Sequence, residues 1–314
     1  MHVPDGFLSV LVSLVFWALS VFVIGIALRK TNQSLGEREV PLMGVLAAAI
    51  FAGQMLNFTV TGGTSGHLLG AAIAVILLGP WPAILVMTSV VSVQALLFQD
   101  GGILALGANI FNMAILGVAV SYAVYSLLSR LFKRQSWGLF AAGFGAAWSS
   151  IFVASLALAL QLSLSGTSPA NIAVPAMGAI HALIGIGEGL ITTGALAFLY
   201  AARRDLLKRG EARPAGNRGL LVGGVLAALV LAVLSPLASS NPDGLEWVAE
   251  QNGFLETARS AFFNIIPDYS LPGISNPALA TIAAGILGVV IVFSMTYAIA
   301  RADKRTPAQE SMQR

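Results

Sequence analysis

Cysteine is absent from all 314 residues. That excludes disulfides, a thiolate metal site and a cysteine nucleophile, and leaves the redox compartment unreadable from cysteine usage. Charge is scarce too: Asp, Glu, Lys and Arg make up 10% of the chain, against about 25% in an ordinary soluble protein. There is no G-x-x-x-x-G-K-[ST], so the chain has no P-loop with which to hydrolyse ATP. H-E-x-x-H and G-x-S-x-G are also missing, and TSGH at 64–67 lacks the second glycine of a nucleophile elbow. If the chain is a transporter, its energy comes from a gradient or from another subunit. Histidine occurs three times, as His2, His67 and His181.

Apolar residues dominate instead. They form 57% of the chain, and the mean hydropathy is +0.84. No soluble fold of this length hides that much apolar surface, so the composition is that of a membrane protein. The 33 glycines and many alanines suit closely packed membrane helices. The start lacks a basic n-region and a convincing A-x-A site, so it reads as a retained helix rather than a signal peptide. Methionine aminopeptidase needs a small second residue, so His2 predicts that Met1 stays.

Nine apolar stretches are expected to cross or enter the membrane, at 7–28, 41–60, 67–78, 80–98, 104–128, 138–164, 174–200, 219–238 and 276–299. The third is short, so it is expected to be tilted or partly unwound and covered by its neighbours. Every second loop is basic. Arg29, Lys30 and Arg38, then Arg130, Lys133 and Arg134, then 203–218, and the tail together hold all the basic residues except Arg259. By the positive-inside rule the N-terminus lies outside and the C-terminus in the cytoplasm. The high pI therefore reflects loop charge rather than a nucleic-acid surface.

The expected fold is an all-α polytopic membrane protein in two blocks. A bundle of seven segments spans 1–200, followed by a basic cytoplasmic linker at 201–218. A second block at 219–299 has two transmembrane helices flanking an extracytoplasmic segment, and a cytoplasmic tail runs over 300–314. The segment at 239–275 is polar and acidic, and its turn signals before LEWVAEQ predict a short helical hairpin.

The chain opens MHVPDGFLS. With Met1 retained, three nitrogens can grip one ion: the terminal amine, the residue-2 amide and the His2 Nδ1. Amine and amide close a five-membered ring with the metal; amide and imidazole close a six-membered one. Displacing the amide proton needs a strongly nitrogen-binding metal such as Ni(II) or Cu(II), which favour a square plane. A fourth corner is open. His67, in NFTVTGGTSGHLLG, is on the same side of the membrane behind a flexible loop, and is the candidate to fill it. The plainer readings are a solvated end for His2 and a helix-start histidine for His67.

Other polar groups lie in apolar segments. His181 and Glu188 are seven residues apart on one helix face. They stand as structural hydrogen-bonders, as neighbours of the ligands, or as a proton path. Gln54, Asn57, Asn109 and Asn112 read as interhelical hydrogen-bonding groups. Ala48 and Ala52, one turn apart, read as internal packing or as a docking face for another subunit.

The stretches MHVPDGFLS, NFTVTGGTSGHLLGA, LLGPWPA, VQALLFQDGGILALGANIFNMAILG and HALIGIGEGLIT together resemble the CbiM/NikM family. These are the substrate-binding membrane subunits of cobalt/nickel energy-coupling-factor transporters. The resemblance covers residues 1–200. NPDGLEWVAEQNGF resembles the PDGLE segment of the accessory subunit, CbiN/NikN. The resemblance implies a six-helix bundle with one extra N-terminal helix, and a Ni2+ or Co2+ cargo held by Met1, His2 and His67. Ser65, Gln54, Asn57, His181 and Glu188 stand beside these ligands as candidate neighbours of the site. The resemblance also implies two ABC-type ATPases and a transmembrane scaffold docked at Ala48 and Ala52, no resident cofactor, no enzymatic activity of the chain's own, and the bacterial inner membrane as location. It gives the accessory part a role in loosening the entrance for metal. Two other classes stand beside this reading. One is an intramembrane enzyme with His181 and Glu188 as acid and base. The other is a gradient-driven metal transporter with the same pair as its proton site.

Overall fold

Each of the nine apolar stretches carries helix in the computed structural model, which describes residues 1–34, 36, 39–132, 135–207, 217–261 and 263–312. Most of the expected linker, 208–216, and the basic residues Arg38, Lys133, Arg134 and Arg314 lie outside the described residues. The helices are α1 (Val10–Ser34), α2 (Glu39–Gln54), α3 (Ala71–Leu78), α4 (Pro80–Val93), α5 (Leu106–Asn109), α6 (Gly117–Leu131), α7 (Ser136–Leu164), α8 (Ala170–Ala202), α9 (Asn217–Leu234), α10 (Gly244–Gln251) and α11 (Pro277–Met312). A π-helical turn extends α4 through Gln94–Phe98, and another, Ile110–Leu116, joins α5 to α6 into one span. Seven helical spans among the described residues are long and apolar enough to cross a membrane.

α2 and α3 fall short of that length, and the reason is local. After Gln54 the chain leaves the helix and forms a small antiparallel hairpin, β1 (Phe58–Val60) against β2 (Thr64–Gly66). The sequence reading, all helical, did not anticipate these strands. Their turn is Gly62–Gly63, both at positive φ, where a side chain is strained. Residues 67–70 then run non-helically before α3, whose eight residues are all buried. Irregular backbone at membrane depth is tolerated where protein covers it and satisfies its polar groups. Glu188 does this: its carboxylate accepts from the Leu69 N–H at 2.6 Å and the Gly70 N–H at 3.1 Å. The expectation of a short, covered third segment is met in this form.

Small residues bring the spans together. α7 and α8 pack along their length, with Gly143 against Leu196, Gly185 against Trp148 and Gly189 against Phe144. Buried between spans, Asn112 and Gln161, in the last turn of α7, exchange two side-chain amide hydrogen bonds of 2.8 and 2.7 Å. α1 turns Leu11, Leu14 and Phe22 outward as an apolar face suited to lipid.

The two blocks are packed on one another. α9 and α11 cover α2, with Gly44 under Phe293 and Gly224 against Val45. Ala48 and Ala52 are therefore fully buried. Of the two readings of this pair, their burial within the chain fits internal packing, and docking of another subunit there is kept as a proposal. The segment between α9 and α11 differs from the expected helical hairpin. It has one two-turn helix, α10, and single 3-10 turns at Leu255–Thr257 and Pro267–Tyr269. Its prolines, glycines and Asn/Asp residues favour turns over a second helix.

Candidate metal centre

The first eight residues thread into the bundle rather than lie on it. Met1 is 4% exposed, His2 8% and His67 6%. Val3 fixes the strand: its N–H donates to the Asn109 side-chain oxygen at 2.8 Å, and its carbonyl accepts from Asn109 Nδ2 at 3.1 Å and from the Gly102 N–H at 2.8 Å. Asp5 completes the anchor by accepting from the Ile103 and Ala105 N–H groups at 3.1 and 2.9 Å. The approach is close enough that a Cβ on Gly102 would sit 2.0 Å from the Asp5 carboxylate.

Anchored this way, the terminal nitrogen meets the imidazole predicted for it. Met1 N lies 2.9 Å from His67 Nε2. Neighbouring corners of a square plane with bonds of about 2 Å to nitrogen are about 2.8 Å apart. The His67 ring is fixed in the tautomer a ligand needs. Its Nδ1 faces the Leu68 carbonyl at 3.0 Å, which can only accept, so Nδ1 carries the proton and Nε2 keeps its lone pair. The His2 and His67 rings stack with centroids 5.2 Å apart and planes 22° from parallel.

His2 Nδ1, the third expected donor, faces Asp100 at 3.0 Å, while Nε2 contacts the Gln94 side-chain oxygen at 3.1 Å. Chelation through Nδ1 therefore requires the ring to turn from Asp100. Gln94 opens the π-helical turn after α4, and Asn109 directly precedes the other π-helical turn. Such turns change which way the following side chains project, and recur at functional sites.

The segment behind α9 supplies two more neighbours. Asp243 Oδ2 pairs with the Met1 ammonium. Its Oδ1 accepts from the Leu245 and Glu246 N–H groups at 2.8 and 2.9 Å, capping α10, and Glu246 returns a bond to the Asp243 N–H at 3.0 Å. Burial alone would raise the Asp243 carboxyl; the terminal ammonium, His67 and the hydrogen bonds outweigh it and hold the group well below the usual carboxylate range. Tyr269 donates to Asp100 Oδ2 at 2.6 Å. Burial opposes the charge on Asp100 as well, but His2 and this phenol hold it low. Burial and the adjacent Asp100 push the Tyr269 phenol well above its ordinary value.

The remaining candidates take supporting places. His181 Nδ1 donates to the Met177 carbonyl at 2.9 Å, and the ring lines a small pocket with Met1, His67, Asp243 and Gly244. Its i+7 partner Glu188 has a different task, the Leu69 and Gly70 N–H groups. Gln54 Nε2 donates to the Leu69 carbonyl at 2.8 Å, bracing the same loop. Ser65 donates its hydroxyl to the Asn241 carbonyl at 2.9 Å and its N–H to the Pro242 carbonyl at 2.8 Å, so it holds the segment between α9 and α10. The Asn57 carbonyl accepts from the Ser239 N–H at 2.8 Å. Sequence reasoning missed Asp100, Gln94, Asp243 and Tyr269. D-x-x-E at Asp243–Glu246 signals a helix start, but no local signal says that its free oxygen reaches residue 1.

Among the described residues no three His, Cys, Asp or Glu side chains form a metal-ligand group. What comes together instead is a chain terminus and two imidazole rings, with His67 Nε2 facing the terminal nitrogen and His2 Nδ1 facing Asp100. Residues 2–206 match the family CbiM, described as the cobalt uptake substrate-specific transmembrane region, and residues 218–305 match the PDGLE domain. An Archaeoglobus fulgidus chain bearing the NikMN name is 38% identical, over 96% of this chain and 98% of its own. The fused nickel transport protein NikMN of Rhodobacter capsulatus is 31% identical, over 93% of this chain and 95% of its own. A crystal structure of a transition metal transporter is 35% identical, with a TM-score of 0.59, over 69% of this chain and 100% of that one.

Proposed function

The chain belongs to the CbiM family of cobalt-uptake transmembrane proteins, with a PDGLE domain behind it, and from that premise we propose that it captures divalent nickel or cobalt for an ATP-driven importer. The coarse part is direct: it is a multi-pass membrane protein of nickel/cobalt transport type. The finer part is the site. The Met1 amine, the residue-2 amide, the His2 imidazole and the His67 imidazole hold the cation in a nearly square plane. The observation that carries this is the 2.9 Å approach of Met1 N to His67 Nε2, at the separation of adjacent corners of such a plane.

Loading then has definable steps. The ion arrives at the end of the bundle where the N-terminus meets the PDGLE segment, the outer face in the proposed orientation. The terminal ammonium and the residue-2 amide give up protons, and the His2 ring turns its Nδ1 from Asp100 to the ion. Asn109 and Asp5 keep the strand in place meanwhile. Two ABC-type ATPases and a transmembrane scaffold supply the energy this chain has no P-loop to provide. Nickel fits the square plane better than cobalt does. Copper binds such nitrogens more tightly by the Irving–Williams order, so selectivity rests on rigid geometry and low copper availability.

Equilibrium dialysis of nickel and of cobalt against purified parent chain and His67→Ala tests the ligand set. The parent is expected to hold one ion per chain and the variant to lose it. Equal retention by both would remove His67 from the site.

A further inference from the structure

The PDGLE segment approaches the proposed metal centre from two directions. Asp243 pairs with the Met1 nitrogen. Tyr269, 26 positions further on, bonds Asp100, which in turn contacts His2 Nδ1. Residues from the far side of the linker therefore contact a donor at one point and stand one residue from another donor at the second.

We propose that the segment completes the metal centre, with Asp243 as a positioning residue that aims the Met1 nitrogen at the cation. This rests on the terminal-amine reading above. The geometry is specific to this carboxylate. Oδ1 is committed to the cap of α10, which orients Oδ2 toward Met1. The helix itself is seated by close contact: a Cβ on Gly244 would lie 2.7 Å from Ile184 Cδ1 and 3.0 Å from His181 Cε1. The backbone bonds from Ser65 to Pro242 and from Arg259 to the Asp5 carbonyl, 2.8 and 2.7 Å, hold the segment on both the hairpin and the N-terminal strand.

The charge argument runs the same way. A square-planar complex of a divalent ion with one deprotonated amide carries a net single positive charge. It is buried, and a buried charge needs a partner. A coordinated amine keeps two N–H groups, so Asp243 accepts from it with the ion bound as well as without. The carboxylate thus holds the nitrogen at its corner before and after loading, and offsets the charge of the complex.

The test is Asp243→Asn in the full chain. Asn caps helices as well as Asp does, and the Tyr269, Ser65 and Arg259 contacts keep the segment docked. Nickel binding is followed by titration calorimetry and by the visible d–d band of a square-planar nickel complex. Five proteins are compared: parent, Asp243→Asn, Asp243→Glu, a form extended by two residues at the N-terminus, and the extended form carrying Asp243→Asn. The loss of an outer partner costs about 10–100-fold in metal affinity. Asp243→Asn is expected to lose about that much, Asp243→Glu to recover part of it, and Asp243→Asn to add nothing in the extended form. If extension destroys binding while Asp243→Asn binds within twofold of the parent, this inference falls and the terminal-amine reading stands. If the extended form binds as the parent does, both fall.

Discussion

At the scale of single residues, His67 combines the properties asked of a ligand. Its Nδ1 proton is held by the Leu68 carbonyl and its Nε2 faces the terminal nitrogen. His67→Ala removes a donor, so it is predicted to cost more nickel affinity than the 10–100-fold typical of an outer partner; calorimetry on the two proteins measures the difference. Two other donors, the ammonium and the residue-2 amide, are protonated before binding. Metal uptake therefore releases protons, and affinity is predicted to fall as the pH is lowered from 7.5 to 5. Three of the four proposed donors were legible in the opening dipeptide because chelate rings are local chemistry. The contacts around them were not. Asp100, Asp243 and Tyr269 are far apart in sequence, at positions with no periodic or metal-spacing signal, and only the folded chain brings them to residues 1 and 2.

At the scale of elements, the loop at 67–70 and helix α3 depend on one carboxylate. Glu188→Ala leaves the Leu69 and Gly70 N–H groups without their acceptor, at about 1–3 kcal/mol for each buried group left unpaired. The predicted result is a lower melting temperature together with weaker metal binding, because His67 sits on that loop. A proton-carrier role for Glu188 predicts instead that binding survives and only uptake fails. Gly244→Val is predicted to push α10 off Ile184 and His181, read as new proteolysis in the 239–275 segment with the bundle intact. The short third segment was visible in the sequence as a deficit of apolar length. The hairpin Phe58–Gly66 was not, since β-branched and apolar residues on either side of TGG read equally well as the continuation of a span. The π-helical turns were also hidden: they depend on tertiary packing around Gln94 and Asn112, while the local sequence is ordinary for a membrane helix.

At the scale of the whole molecule, alternation of basic and non-basic loops is the clearest sequence signal, and each helical span long enough to cross a membrane overlaps one of the stretches it separates. The absence of native cysteine makes the orientation measurable. Ser240→Cys and Ala202→Cys are both exposed positions, near opposite ends of spans. An impermeant maleimide added to intact cells is predicted to label the first and spare the second; the reverse pattern would invert the topology. Composition said nothing about how the two blocks sit. That α9 and α11 enclose α2, burying Ala48 and Ala52, follows from shape complementarity between glycines and Phe293 or Val45, which no one-dimensional pattern encodes.

The central claim is that the chain's free start is part of the site. It is tested most directly by nickel titration of the native protein against the same protein extended by two residues at the N-terminus. Extension removes the Met1 amine and shifts His2 from the second position. The account predicts tight one-to-one binding by the native form and its loss in the extended form. Equal affinity in the two would contradict it.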